Sequence, residues 1–188
     1  MGKEVFHHKS SAMAAEQRLN LTQRYLWRIV AKICSAVKEK YGEEGLQTIY
    51  NALESWPNHR SAVVKSGITP GEGTLGDLIT KLYDPGDEML FTMTKHRIIT
   101  EEPDADHLLY KIQECNVKDV VQRECPEMCS YVVRGIEQGL AKQVNPNIKV
   151  SGNRFLANGH DACYIQLEMT KPKAAKKPAA KAPAKKQK

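Results

Sequence analysis

From Ala14 to Tyr41 the apolar residues recur at helical spacing. Leu21, Tyr25, Ile29, Ile33 and Val37 fall every four residues, flanked by Leu26, Val30 and Cys34, which predicts a long amphipathic helix. Gly42 ends it. A second helix is expected from about Glu43 to Trp56, with Leu46, Ile49, Tyr50 and Leu53 on one face and Pro57 breaking it. After a Gly/Pro loop at 67–73, Thr74 reads as an N-cap. Asp77 three residues on forms an approximate capping box, and Leu75, Leu78, Ile79 and Leu82 make the helix that follows amphipathic.

Beyond the Asp84-Pro85-Gly86-Asp87 turn the period shifts towards two. Residues 88–99 and 107–115 roughly alternate, joined by the acidic loop TEEPDAD, and predict a hairpin with a long connection. Val117–Arg123 predicts a short helix. Pro126 suits the first turn of a longer one reaching about Lys142, with Met128, Cys129, Val132, Val133, Ile136 and Leu140 inward. A second hairpin is expected from Ile148–Leu156, an Asn158-Gly159 turn and Cys163–Met169. The fold class is therefore α+β: a helical N-terminal half packed on an antiparallel four-stranded sheet built from two hairpins flanking a helix.

The chain has 188 residues, enough for one domain with its own core. Composition divides it into a flexible arm at 1–12, a single domain at 13–169 and a tail at 170–188. Residues 171–188 hold eight Lys, six Ala and three Pro and no large apolar side chain, so disorder is expected there. Those lysines exceed the whole-chain net charge of +6 and leave residues 1–170 at −2. A basic nucleic-acid-binding surface is therefore not expected on the domain, only weak polyanion binding through the tail.

No run of about 18 apolar residues is present, so no membrane span is expected. The first residues lack the apolar core of a signal peptide. Five cysteines, an odd number without an export signal, point to reduced thiols in a cytoplasmic protein. The helical half offers apolar surface enough for a homodimer.

Four cysteines, Cys115, Cys125, Cys129 and Cys163, lie in the C-terminal half. Cys125 is expected at a helix start, where backbone amides lower a thiol pKa, with Cys129 one turn along on the same face. Three readings stand for the group: small core hydrophobes, metal ligands (zinc, with His160 joining Cys115, Cys125, Cys129 and Cys163), or a nucleophilic thiol. Gly71-Glu72-Gly73-Thr74-Leu75-Gly76 fits a dinucleotide fingerprint but lacks the preceding strand, so it reads as a loop. His59, His96, His107, Glu101, Glu102, Asp104 and Asp106 form a scattered polar set, whose acidic loop reads as an exposed hairpin loop, with cation binding or lining a site mouth as the alternative.

The order of Tyr41-Gly42-Glu43-Glu44-Gly45, Glu114-Cys115, Cys125 with Cys129, Asn145-Pro146-Asn147-Ile148 and Asn158-Gly159-His160-Asp161-Ala162-Cys163-Tyr164 resembles the L-2-amino-thiazoline-4-carboxylic acid hydrolase family over roughly residues 20–169. The ending is also similar to the small-molecule binders of the 4-vinyl reductase group. The resemblance implies hydrolysis of a cyclic C–N bond in a small sulfur heterocycle, with Cys129, Cys163 and Asp161 as catalytic candidates. The alternative it carries is a non-catalytic module that binds a small molecule or a metal. The chain departs from the family pattern at Val132, where an acidic residue is usual, and at the extra His160 between Gly159 and Asp161.

Overall fold

The computed structural model describes residues 15–84, 97–99 and 106–170. The expected arm at 1–12, nearly all of the expected tail, His96 and residues 101–105 of the acidic loop lie outside them.

Helix α1 (Ala15–Glu54) is broken at Gly42, whose φ of 64° and ψ of −154° belong to no helix. An L side chain is disfavoured at such a φ, so glycine sets the joint. Gly45 lets the second arm fold close: a Cβ there would lie 2.7 Å from Val37 Cγ1. Helix α2 (Asn58–Lys65) follows. Helix α3 (Leu75–Leu78) has the full Thr74–Asp77 capping box and runs on as a π turn at Ile79–Tyr83.

The sheet is antiparallel. Three strands carry it: β2 (His107–Ile112), β3 (Ile148–Arg154) and β4 (Cys163–Met169). β4 lies between the other two, with Tyr110 opposite Ile165 and Val150 opposite Leu167. Four full strands do not form among the described residues. Of the expected strand at 88–99, only β1 (Arg97–Ile99) is described, a three-residue piece beside β2. The last hairpin also differs from expectation. β3 stops at Arg154 after a bulge, and a 3-10 turn at Leu156–Asn158 closed by left-handed Gly159 leads into β4. A two-residue turn cannot span this connection, because Phe155, Leu156 and Ala157 dip into the core.

Between the strands lie α4 (Lys118–Glu124) and α5 (Arg134–Val144), the latter preceded by a π turn at Cys129–Val133. Gly135 and Gly139 let α5 press against the second arm of α1 and α2: a Cβ on Gly135 would meet Tyr50 O at 2.8 Å, and one on Gly139 would meet Glu54 O at 2.6 Å. Gly139 also abuts His59. That histidine is 3% exposed, with Nε2 2.6 Å from Leu53 O and its ring edge-on to Trp56. It is a core residue.

Two apolar cores result. One joins the sheet's inner face (Leu108, Tyr110, Ile148, Val150, Ile165, Leu167) to α2, α3 and α5. The other joins α1 to α4 through Trp27, Ala31, Cys34, Leu46, Val117, Val121, Cys125 and Met128. The α1 face that is buried is therefore Gln23, Trp27, Ala31 and Cys34, and most of the four-residue apolar stripe points outward: Leu21, Tyr25, Ile29 and Ile33 are 41–67% exposed. A row of ion pairs fixes this rotation. Arg24 forks onto Asp119 at 2.9 and 2.6 Å, Lys32 reaches Glu124 at 2.8 Å, and Lys38 reaches Glu127 at 2.5 Å. Desolvating Trp27 supplies the larger energy; these exposed pairs add direction more than stability.

Candidate functional site

The two cores meet along a seam that neither fills. A cavity of about 50 Å³ lies there, walled mostly by carbon and sulfur. β2 and β4 end at the same edge, with Ile112 opposite Cys163. That register brings Cys115, just past β2, beside Cys163 at the start of β4. The π turn supplies Cys129 from the other side. All three cysteines line the cavity with Trp27, Met128 and Phe155. A π turn inserts one residue into the helical repeat, which re-aims the side chains that follow and is common at functional sites.

Burial dominates the chemistry of these thiols. Cys115 is pushed up to about 11, although the Val117 and Lys118 amides pull the other way. Cys129 is raised well above the ordinary thiol value by burial and by its sulfur neighbours. Cys163 is raised by burial too, despite the Leu156 N–H donated to its Sγ at 3.3 Å. All three are thus neutral thiols near pH 7.

The fourth cysteine is elsewhere. Cys125 caps the end of α4, is buried in the helical core and does not line the cavity. The following helix starts beyond it, so Cys125 and Cys129 do not share a helix face. Burial, with Glu127 nearby, raises the Cys125 thiol, the reverse of the lowering expected at a helix start. His160 and Asp161 do not line the cavity either. Asp161 is exposed, bound by Arg154 at 3.1 Å and by the Tyr164 hydroxyl at 2.9 Å. Among the described residues no group of three or more His, Cys, Asp or Glu side chains is placed to hold a metal ion. The donor set expected for zinc is therefore not assembled among the described residues.

No protein-family model matches the chain, and no curated protein or solved structure is significantly similar to it. The site thus stands on its own geometry, and that geometry adds two residues that the sequence did not single out. Glu137 lines the cavity. Its carboxylate lies 2.7 Å from Arg134 Nη1, with the two side chains 12% and 6% exposed. Burial raises the Glu137 carboxyl, and Arg134 opposes that only in part. Arg134 stacks over Phe155 with its guanidinium carbon 5.3 Å from the ring centre, and its Nε and Nη2 have no hydrogen-bond partner among the described residues. The available signal was the pair of opposite charges three apart in a helix that also carries Gly135 and Gly139. Glycines at that spacing mark the face pressed on another helix, which turns neighbouring polar side chains inward.

One further lining residue is polar: Lys118, which is exposed. The cavity therefore has an apolar interior, with one buried carboxyl and one exposed lysine among its lining residues.

Proposed function

We propose that this protein binds a small, largely apolar molecule with an acidic substituent. The ring or alkyl part would enter the cavity among Cys115, Cys129 and Cys163, and the acidic group would face Lys118. The observation that carries the reading is the convergence of three protonated thiols and one buried carboxyl on an otherwise apolar cavity. Apolar clefts with a few placed polar groups are the usual form of small-molecule sites. About 50 Å³ is room for only a few heavy atoms, so the remainder of a ligand lies towards the mouth.

The test is calorimetric titration of the full chain with 2-amino-thiazoline-4-carboxylate and with small aromatic carboxylates, each beside its neutral amide. Saturable binding of a carboxylate is expected. Lys118→Glu should weaken it about fivefold and leave the matching amide unchanged, because only the charge at the mouth differs. Absence of binding across the series, or equal loss for acid and amide, would overturn the reading.

A second reading, hydrolysis of a cyclic C–N bond, is favoured by one observation: a buried carboxyl, Glu137, lines the cavity and is raised by that burial, the direction a general acid for a departing ring nitrogen needs. Water would add across the ring C=N bond, its oxygen to carbon and one proton to nitrogen; Glu137 would protonate that nitrogen as the C–N bond breaks, and the hydroxyl left on carbon would return its proton to Glu137 as the carbonyl forms. The cysteines would then shape the cavity and not attack, since neutral thiols are poor nucleophiles. Multiple turnover of the thiazoline, lost in Glu137→Gln with ligand affinity retained, is the expected result. Binding without turnover in the parent chain would leave the binding reading standing and remove this one.

A further inference from the structure

The outward face of the first arm of α1 is patterned for a partner. Leu19, Leu26 and Ile33 stand seven residues apart, and Thr22, Ile29 and Ala36 interleave with them at spacings of three and four. All six are exposed. With Leu21 and Tyr25 they form an apolar strip of roughly 600 Å² along a rod about 40 Å long, at the upper end of what monomeric proteins leave uncovered. The ion pairs to α4 described above hold the helix with this strip outward, so it is not a loose segment awaiting its own core.

We propose that two copies of this chain pair through this strip as an antiparallel, two-fold helix pair. The heptad spacing asks for a helix as the occupant. A second copy is self-complementary in one register. Setting Leu26 against Ile29 of the second copy also sets Leu19 against Ala36 and Ile33 against Thr22, so large side chains meet small ones in the outer layers. The same register brings Arg18 beside Glu39 of the second copy at both ends of one rim. Both residues are exposed, and neither forms an ion pair among the described residues. Parallel pairing would instead place Arg18 beside Gln23 and Lys32 beside Val37, with no opposite charges in contact. Two such strips bury roughly 1,200 Å² in all, the lower bound for a specific interface. The Lys/Ala/Pro tail cannot be the occupant, because it has no large apolar side chain.

The experiment is sedimentation equilibrium of the full chain. A dimer is expected at about 100 µM and below. Ile29→Glu with Ile33→Glu should give a monomer with unchanged helical circular dichroism, since both positions are exposed. Arg18→Glu and Glu39→Arg should each weaken the dimer about threefold, and the double reversal should restore it. A monomer throughout, or a dimer untouched by the two glutamates, overturns the proposal. Single reversals without effect, or a double reversal that does not rescue, overturn the antiparallel register.

Discussion

Glu137 and Arg134 form a nearly buried ion pair one turn apart on α5, 2.7 Å between their charged atoms, and Glu137 alone of the two lines the cavity. Burial costs a carboxylate its hydration, and a single cation returns only part of it. Burial therefore raises the Glu137 carboxyl above its ordinary value, and Arg134 opposes the rise only in part. The stacking of Arg134 on Phe155 ties that charge to the same turn that carries Leu156 and Ala157 into the wall.

This pair predicts a pH signature. The folded-state value of Glu137 lies above its ordinary 4.5, so the folded chain keeps the proton longer than the unfolded one. Its contribution then favours folding most at low pH and declines as pH rises from about 4.5 through the folded value. Urea unfolding of the parent and of Glu137→Gln should show the parent's advantage shrinking over that window. An advantage that grows with pH would mean Arg134 outweighs burial.

The thiols predict slow alkylation. Cys115 at about 11 against an ordinary 9.0 carries roughly a hundredfold less thiolate near neutrality, before any steric protection. Mass spectrometry after iodoacetamide treatment should find Cys115, Cys129 and Cys163 unmodified while the unfolded chain labels fully, with rates still rising at pH 10. Rapid labelling of Cys129 or Cys163 at pH 7 would instead identify an activated nucleophile.

Gln138 predicts a structural cost. Its amide donates to Ile148 O at 3.1 Å and accepts from Val150 N–H at 2.9 Å, standing in for the neighbour that β3 lacks at the sheet edge. Gln138→Leu should cost about 2–4 kcal/mol, because a buried N–H and C=O lose their partners together. Hydrogen exchange at Val150 should quicken in step. An unchanged midpoint and exchange rate would show that water or β3 itself satisfies the edge.

Elements set by local chemistry were legible in the residues. The break at Gly42 follows from a backbone conformation that glycine alone adopts freely, and the start of α3 from a Thr74–Asp77 box that closes within four residues. The inward faces of β2 and β4 follow from the rough alternation of their apolar residues. The site was half legible. Cys115, Cys129 and Cys163, singled out with Cys125 as a group, line one cavity. Cys125 does not join them, since two turn residues after it delay the helix.

The sequence by itself determined the break at Gly42, the capped start of α3, that the sheet is antiparallel, and that α1 carries an apolar stripe, because each depends on contacts a few residues apart. The tertiary structure decided which face of α1 is covered, since periodicity locates a stripe but the shape and charge of α4 select the face holding Trp27. It also decided that Glu137 faces the cavity and Asp161 the solvent. One inserted residue in a π turn and two glycines pressed on neighbouring helices set the rotation of α5, and neither is fixed until the layers pack.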